Sequence, residues 1–396
     1  MNTPDFHCHQ VFTRFAERCV SCMLCFQDCE LLSKLNLSPQ EIAATLGSGN
    51  YTATLVESIQ QCSQCGLCSQ NCPVGLAPHE LMLVARQLLV KDGLVRAEDY
   101  RPLLVDREHH LFNLYRQTWG IDYSDLHRSQ SPVLFVPGCT LASYAPDLTR
   151  TACAWLQHQG LDVGLNEQCC GLPLASIGLA ERHEQYIARL REEFARAGVQ
   201  QLVIACPNCF YHFKENFPDI GISSLYELLV SAGVRVDSAE GSVTVHDSCP
   251  DRNSGRIGRA VRTLLGGNTV VEPIHTGVMT ICCGSGGLVS MNDPELSDKR
   301  AAVRFEELRK GAPQYCVCAC MACVKRLESA QSAAPDGTTG QHDGVSDPLQ
   351  VVHILELVFK QRVDHDRLQR QLEQMWAGEQ GERNAQLLNR EAVDHE

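Results

Sequence analysis

Two stretches near the N-terminus, Cys19-Val-Ser-Cys22-Met-Leu-Cys25-Phe-Gln-Asp-Cys29 and Cys62-Ser-Gln-Cys65-Gly-Leu-Cys68-Ser-Gln-Asn-Cys72-Pro73, decide how this chain folds. In each, two residues separate the first three cysteines, and the fourth follows after three more. Three thiolates spaced in this way let a short loop wrap around one corner of a cubane [4Fe-4S] cluster. A structural zinc site needs four ligands, usually from two separated pairs. Both stretches therefore predict an iron–sulfur site.

Ten further cysteines form a second matched pair of groups. They are Cys139, Cys169, Cys170, Cys206 and Cys209 in the first group, and Cys249, Cys282, Cys283, Cys320 and Cys323 in the second. The offsets between equivalent cysteines are 110 residues at Cys139, 113 at Cys170, and 114 at Cys206 and Cys209. This regular offset indicates an internal duplication of about 110 residues, and we expect two similar units that face each other.

Each repeat contains a Cys-Cys-Gly sequence, which needs its own explanation. Adjacent side chains on extended backbone point to opposite faces, so two neighbouring cysteines reach one metal centre only from a tight turn. Gly171 and Gly284 supply the freedom for such a turn. Iron–sulfur binding by all five cysteines of each repeat is the favoured interpretation. A vicinal disulfide, a buried cysteine pair, or zinc in one repeat are the alternatives.

The residues between the cysteines predict a multi-domain α+β protein. Ser38-Pro39-Gln-Glu41 has the form of a helix start, with an N-cap, a proline and an early acid. From Pro132 onward, short apolar strands alternate with helices, which is typical of parallel sheets. We expect a helical domain for two clusters at 1–95, a helical connector at 96–131, α/β domains with small parallel sheets at 132–235 and 240–361, a loop insertion at 329–348, and a charged tail at 362–396.

The α/β elements repeat in the same order in both halves. Strands are predicted at 133–136, 161–165, 202–205, 243–246 and 315–319, and helices at 144–159, 179–197, 254–265 and 294–310.

Composition excludes several classes of protein. The chain has 34 Lys and Arg against 47 Asp and Glu, a formal charge of −13, so no basic surface for nucleic acid is expected. The longest apolar stretch, Leu81–Val90, is far shorter than the roughly 20 residues of a membrane span. The N-terminus has no export signal. We therefore expect a cytoplasmic protein, where thiols bind metal more often than they form the disulfides of a secreted scaffold.

The combination of motifs resembles the heterodisulfide reductase family, over residues 15 to about 360. The two repeats are similar to its cysteine-rich CCG domains, and the N-terminal part is similar to a helical two-cluster ferredoxin. The chain is also similar to the iron–sulfur subunits of glycolate oxidase, anaerobic glycerol-3-phosphate dehydrogenase and lactate-utilisation complexes. The resemblance implies two cubane [4Fe-4S] clusters, and one or two noncubane [4Fe-4S] clusters in the CCG domains.

The resemblance also implies which cysteines share a cluster, because the fourth cysteine of each ferredoxin run serves the other cluster. Cluster one would take Cys19, Cys22, Cys25 and Cys72, and cluster two would take Cys62, Cys65, Cys68 and Cys29. Glu30 stands where the ferredoxin pattern has proline. A carboxylate beside a cluster disfavours reduction, so we expect Glu30 to keep the potential of its cluster low.

The internal repeat separates candidate ligands from core residues. Cys316 and Cys318 align with Leu202 and Ile204, so both are expected in the core. Cys153 is expected in the core of a helix, and Cys8 has no assigned role. His246 precedes the first ligand of the second repeat, where the first repeat has Val136. It is a candidate catalytic proton donor for disulfide reduction, and a hydrogen-bonded structural histidine is the alternative.

These observations predict an oxidoreductase component that needs a partner subunit. The first hypothesis is an electron-transfer subunit that relays electrons between a partner and the CCG domains. The partner would be a flavoprotein or a membrane cytochrome, so that membrane contact is made only through it. The alternatives are a catalytic disulfide reductase and a non-redox zinc scaffold. No Gly-x-Gly-x-x-Gly follows a predicted strand, so no flavin or nicotinamide site is expected in this chain.

Overall fold

The computed structural model describes residues 3–237, 241–332 and 349–390. Five regions follow one another along the chain: a helical N-terminal domain, a connector, two α/β repeats and a helical C-terminal segment. No described helix is long and apolar enough to cross a membrane.

The N-terminal domain is helical, as expected, and none of its described residues lies in a strand. Its helices are α1 (Thr3–Arg18), α2 (Glu30–Leu35), α3 (Pro39–Ser48), α4 (Ala53–Gln60), α5 (Leu67–Gln70) and α6 (Pro78–Lys91). Helix α3 begins as its sequence predicts. The Ser38 side chain accepts from the Glu41 backbone N–H, and the Glu41 carboxylate accepts from the Ser38 N–H.

The connector is less regular than the domains on either side. It contains the short 3₁₀ segments Ala97–Leu103 and Ser124–Leu126 and one helix, α7 (Leu111–Thr118). Tyr123 anchors the connector to the first repeat, because its buried hydroxyl donates to the Ala142 carbonyl at 2.7 Å.

The first repeat is built around a four-stranded parallel sheet with strand order β2-β1-β3-β4. Its elements are β1 (Val133–Val136), α8 (Cys139–Tyr144), α9 (Pro146–His158), β2 (Val163–Leu165), α10 (Leu172–Ile177), α11 (Ala180–Arg196), β3 (Gln201–Ile204), α12 (Pro207–Asn216), β4 (Gly221–Ser224) and α13 (Leu225–Ser231).

The second repeat has a three-stranded parallel sheet with strand order β5-β6-β7. Its elements are β5 (Val243–His246), α14 (Arg256–Leu264), α15 (Val289–Asn292), α16 (Pro294–Leu308), β6 (Tyr315–Cys318), α17 (Met321–Ser332), β7 (Gln350–His353) and α18 (Ile354–Val358). A single parallel bridge between Val243 and Val270 stands where the first repeat has β2. The register pairs Val136 with Ile204, and His246 with Cys318, which agrees with the alignment of the repeats.

Tyr226 joins the two repeats at their equivalent turns. Its hydroxyl lies 2.6 Å from the Ala205 carbonyl oxygen and 2.8 Å from that of Ala319. Each alanine immediately precedes a cysteine of its repeat, Cys206 or Cys320. The two cysteine-bearing turns are therefore held side by side.

The C-terminal segment is more ordered than a charged tail suggests. It forms α19 (His365–Gln374) and α20 (Gly378–Asn389), which bury Leu368, Met375 and Leu388. Residues 391–396 of the predicted tail lie outside the described residues.

Three differences from the sequence-based elements have simple causes. Strands β4 and β7 were not predicted, because β4 contains a single apolar residue and the two valines of β7 are flanked by Gln350 and His353. Helix α1 was not predicted, because it lies before the first cysteine group and its sequence is polar. Helix α17 continues through 329–332, so the start of the expected loop at 329–348 is helical, and residues 333–348 lie outside the described residues.

Arg86 connects three of these domains from a fully buried position on α6. Its guanidinium donates to five backbone carbonyls, those of Ile59, Gln60, Cys62, Ser176 and Gly287. The first three belong to the N-terminal domain, and the other two belong to the two repeats. One side chain therefore satisfies carbonyls on three sides of the domain junction.

We expect Arg86→Gln to destabilise the protein by about 3 kcal/mol or more, because several buried carbonyls lose a charged donor. Arg86→Lys should lose less, because it keeps the charge and some of the donors. The free energy of unfolding is measured under anaerobic conditions by following the unfolding transition with circular dichroism. The control is Arg96→Gln, an exposed residue paired with Asp99, which should change stability by less than about 0.5 kcal/mol. Equal effects at both positions would show that Arg86 does not hold the junction.

Candidate iron–sulfur centres

Parallel strands bring the cysteines of the two repeats to one edge of each sheet. Cys139 and Cys206 lie three and two residues beyond the carboxyl ends of β1 and β3. Cys249 and Cys320 lie three and two residues beyond those of β5 and β6. The carboxyl edge of a parallel sheet is where α/β proteins place their ligands. The Cys-Cys-Gly turn of each repeat approaches the same edge. Gly171 and Gly284 adopt φ angles of +89° and +88°, the left-handed conformation that such a turn requires.

The first three cysteines of each N-terminal group lie near the fourth cysteine of the other group, which gives a first set (with Cys72) and a second set (with Cys29). Burial raises the pKa of the Cys25 thiol to about 12, and Cys19, Cys22 and Cys72 add to this shift. In the other group, burial raises the pKa of Cys68, with contributions from Cys65, Cys62 and Cys29. The structure thus brings together the same two sets of four cysteines that the resemblance implies.

The two N-terminal groups differ in exposure. Cys22 of the first set is exposed, as are the apolar side chains of its neighbours Val20 and Leu24. The second set instead lines a cavity of about 540 Å³ at the junction with the second repeat, and Cys282 of that repeat contributes to the same wall. The first set therefore reaches the molecular surface at Cys22, and the half-buried second set faces the junction between the domains.

The ten cysteines of the repeats interact in one continuous series. In the first repeat, the pKa shifts show hydrogen bonding of each thiol with the next in the order Cys139, Cys169, Cys170, Cys209 and Cys206. In the second repeat, the order is Cys249, Cys282, Cys283, Cys323 and Cys320. The Cys283 and Cys323 sulfur atoms are 3.0 Å apart. Cys206 and Cys320 interact across the repeats, so the series is unbroken.

These donor sets fit iron–sulfur clusters. All the donors are soft sulfur atoms, which select iron–sulfur clusters or zinc over hard cations. Burial raises the pKa of Cys65 to about 12, so cluster binding has to supply the energy to deprotonate such thiols. Gly138 lies close to these thiols, because a Cβ there would be 2.5 Å from the Cys206 Cβ and 3.3 Å from its sulfur atom. When bound, the clusters would supply one-electron oxidation and reduction.

The second ferredoxin set lies against the second repeat through a close backbone approach. A Cβ at Gly287 would lie 2.2 Å from the Cys62 carbonyl oxygen, and a Cβ at Gly286 would lie 2.6 Å from that of Ser63. Arg252 of the second repeat donates to the Cys65 carbonyl at 3.1 Å. These glycines of the Gly284-Ser-Gly-Gly287 sequence therefore serve the junction between domains.

Glu30 and Arg300 form a pair that the sequence did not reveal. The Arg300 Nε lies 3.5 Å from a Glu30 carboxylate oxygen, and only 7% of the Arg300 side chain is exposed. Arg300 also donates to the Ser63 hydroxyl. Glu30 is therefore paired with a buried cation, and the expectation that it keeps the potential of its cluster low stays a prediction.

His246 lies beside the second repeat's cysteines, as its position predicts. One of its ring nitrogens and the sulfur atoms of Cys283 and Cys323 all lie within 4.8 Å of one another. The His246 Nδ1 accepts from the Arg304 Nε at 3.1 Å, which leaves the proton of the neutral ring on Nε2. Burial, followed by the charge of Arg304, lowers its pKa to about 3. The geometry places a neutral donor at the site, and the catalytic role stays a prediction.

The remaining cysteines are buried in hydrophobic surroundings. Cys316 and Cys318 lie in β6, and Cys153 lies in α9, all without measurable exposure. Cys318 is near enough to Cys283 and Cys320 for their charges to raise its pKa, after burial and hydrogen bonding to Cys316. Cys8 is buried in α1.

Known protein families agree with this geometry. Residues 15–76 match the model of the 4Fe-4S dicluster domain, and residues 133–214 and 243–328 match the model of the cysteine-rich domain CCG. The chain carries one 4Fe-4S dicluster domain and two CCG domains. These domains support multiple [4Fe-4S] clusters in this iron–sulfur protein.

Curated relatives share this arrangement at low identity. One subunit of the fumarate reductase (CoM/CoB) of Methanothermobacter marburgensis is 21% identical, over 87% of this chain and 72% of the relative. One subunit of the dihydromethanophenazine:CoB–CoM heterodisulfide reductase of Methanosarcina barkeri is 23% identical, over 74% of this chain and 77% of the relative. The glycolate oxidase iron–sulfur subunit of Escherichia coli is 23% identical, over 79% and 89%. All three are subunits of larger oxidoreductases.

We expect Gly287→Ala to separate the dicluster domain from the second CCG domain, because the new Cβ would collide with the Cys62 carbonyl. The expected result is faster loss of iron to a ferrous chelator. Gly277→Ala is the matched control: Gly277 has a similar φ, +55° against +58°, but nothing lies within 4 Å of its Cβ position. Equal rates of iron loss in both variants would mean that the close approach is not required.

Replacing single cysteines should separate ligands from core residues. We expect Cys320→Ala to lose about four irons per chain, the content of one [4Fe-4S] cluster. Cys316→Ala and Cys318→Ala should keep the full complement, since both residues are expected to fill the core. Iron and acid-labile sulfide per chain are measured after anaerobic purification. Loss of a cluster from either core variant would add that cysteine to the ligand set.

Proposed function

We propose that this chain is the iron–sulfur electron-transfer subunit of an oxidoreductase complex. Single electrons would pass between a partner subunit and the CCG domains through the dicluster domain. We place the protein in the cytoplasm, where a flavoprotein or a membrane cytochrome subunit would be its partner. The names of the relatives, which are subunits of reductases and oxidases, support a role inside a larger assembly.

One observation carries this proposal: the cysteines lie in the order first set, second set, second CCG domain and first CCG domain. The exposed first set shares the dicluster domain with the second set. The second set reaches the second CCG domain, where Cys65 and Cys282 interact. The second CCG domain reaches the first, where Cys206 and Cys320 interact. A linear order with one exposed end and short separations between neighbours is the arrangement that an electron relay needs.

The residues of the chain would hold this relay together without taking part in the redox chemistry. Arg86 and Arg252 fix the loops of Cys62 and Cys65 through their carbonyls. Gly286 and Gly287 permit the close approach of the second CCG domain. The surrounding apolar side chains would exclude water from the inner clusters, which lowers the cost of reorganisation when an electron moves.

A second function is favoured by the contact between the two CCG domains. Both motifs contain all five cysteines, and the two groups meet at Cys206 and Cys320. Two adjacent one-electron centres could together deliver the two electrons that cleave a disulfide, and the two thiolates formed would each take up one proton. Under this alternative the chain would itself be a catalytic disulfide reductase.

The relay is tested with anaerobically purified chain that contains about sixteen irons, four for each site. Reduced flavodoxin, a bulky one-electron donor, is mixed with oxidised protein, and reduction of the CCG centres is followed by rapid-freeze EPR. We expect Cys25→Ala, which removes a ligand of the first set, to slow this reduction by about tenfold or more. The control is Cys153→Ala, a buried cysteine outside the four groups, which should not affect the rate.

Unchanged reduction of the CCG centres in Cys25→Ala would contradict the relay. A colourless protein with zinc and no acid-labile sulfide would contradict both redox functions. The catalytic alternative is tested separately by adding a small thiol to the oxidised protein. A new paramagnetic signal from the CCG centres would support direct sulfur binding, and its absence would favour electron transfer alone.

A further inference from the structure

We propose that Arg300 raises the reduction potentials of the second dicluster centre and the second CCG centre together. It would thereby make these two centres the favoured place for an electron within the chain. This inference rests on the proposed relay, because it concerns the centres through which the electrons would pass. Arg300 lies outside all of the cysteine motifs, so the motifs alone do not indicate this role.

The position of Arg300 carries the inference. The residue projects from α16 into the junction between the dicluster domain and the second CCG domain, and it lines the same cavity as the second cysteine set. Burial acts to lower its pKa, but nearby thiols outweigh burial and hold the pKa above its usual value. These thiols belong to both centres: Cys282, Cys29, Cys65 and Cys62.

The charge of Arg300 is only partly balanced by protein. Its guanidinium forms an ion pair with Glu30, at 3.5 Å, its single carboxylate partner among the described residues. It also donates a hydrogen bond to the Ser63 hydroxyl. The remaining positive charge faces the sulfur ligands. Because these ligands hold negatively charged clusters, a buried cation favours the more reduced state of both centres.

The duplication supplies an internal comparison. At the offset of 114 residues, Arg300 of the second repeat corresponds to Tyr186 of the first. Tyr186 is uncharged, and its hydroxyl donates to the Cys169 carbonyl at 2.8 Å. The repeats therefore differ in charge at this position, which in the second repeat lies beside the second cysteine set of the dicluster domain. This difference fits a role in electron transfer between domains, since the shared fold of the repeats does not require it.

The first dicluster centre has a different electrostatic environment. Arg18, which donates to the Val74 carbonyl near that centre, is exposed to solvent. Salt and water screen exposed charges, while buried charges keep most of their effect. We therefore expect a single charge change at Arg300 to act on the two inner centres and to leave the outer one nearly unchanged.

The experiment is an EPR-monitored potentiometric titration of the full cluster-loaded chain. Arg300→Gln should lower the midpoints of the second dicluster centre and the second CCG centre. The expected shift is at least a tenfold change in the ratio of reduced to oxidised centre, which is 59 mV for a one-electron couple. Arg300→Lys should restore most of the potential, because it keeps the charge. Glu30→Gln should shift both midpoints upward, because the cation then acts without its partner.

Arg18→Gln is the matched control, and it should leave the two inner midpoints unchanged. If Arg300→Gln loses iron, the opposite shift in Glu30→Gln still tests the charge. The proposal is overturned if Glu30→Gln and Arg300→Gln shift neither inner midpoint, or if all centres shift equally. Failure of the relay itself would appear elsewhere, as unchanged delivery of electrons from flavodoxin in Cys25→Ala. The two ideas can therefore fail independently.

Discussion

The structure depends on bringing sulfur atoms from distant parts of the chain into contact at buried positions. Parallel strands meet this constraint, because β1, β3, β5 and β6 end at the same edge of their sheets and a cysteine follows each within three residues. The turns after β1 and β3 carry Cys139 and Cys206, and the turns after β5 and β6 carry Cys249 and Cys320. Tyr226 then fixes the two edges against each other through two alanine carbonyls. The order of the four centres follows from this arrangement.

Buried arginines stabilise the junction that the sulfur centres require. Arg86 satisfies five carbonyls from three domains, Arg252 satisfies the Cys65 carbonyl, and Arg300 faces cysteines on both sides. A buried cation without balancing charge is costly, and the negative clusters supply that charge. Binding of the clusters and docking of the domains should therefore stabilise each other. The same charges that hold the domains together are placed to influence the redox centres.

Sequence reasoning came close to the fold where local pattern and tertiary structure agree. The strand at 243–246 and the capped helix at Pro39 were predicted within a residue, because their signals lie within a few neighbouring side chains. Strands β4 and β7 were missed because Gly-Ile-Ser-Ser and Gln-Val-Val-His show neither an apolar run nor an apolar alternation. The offset between the repeats could also have identified Arg300, since Tyr186 stands at its equivalent position. The same comparison between the repeats identified His246, because the first repeat has Val136 at the equivalent position.

The sequence by itself determined the four cysteine groups, the duplication and the alternation of strands with helices, because each depends on spacing along the chain. Only the tertiary structure decided which groups are neighbours, that Arg300 offsets Glu30, and that Arg304 occupies one nitrogen of His246. Glu30 and Arg300 meet across 270 positions of the sequence, and no local pattern encodes such a contact. The ends of the parallel strands and the packing of the domains bring these residues together, and with them the charges that act on the sulfur centres.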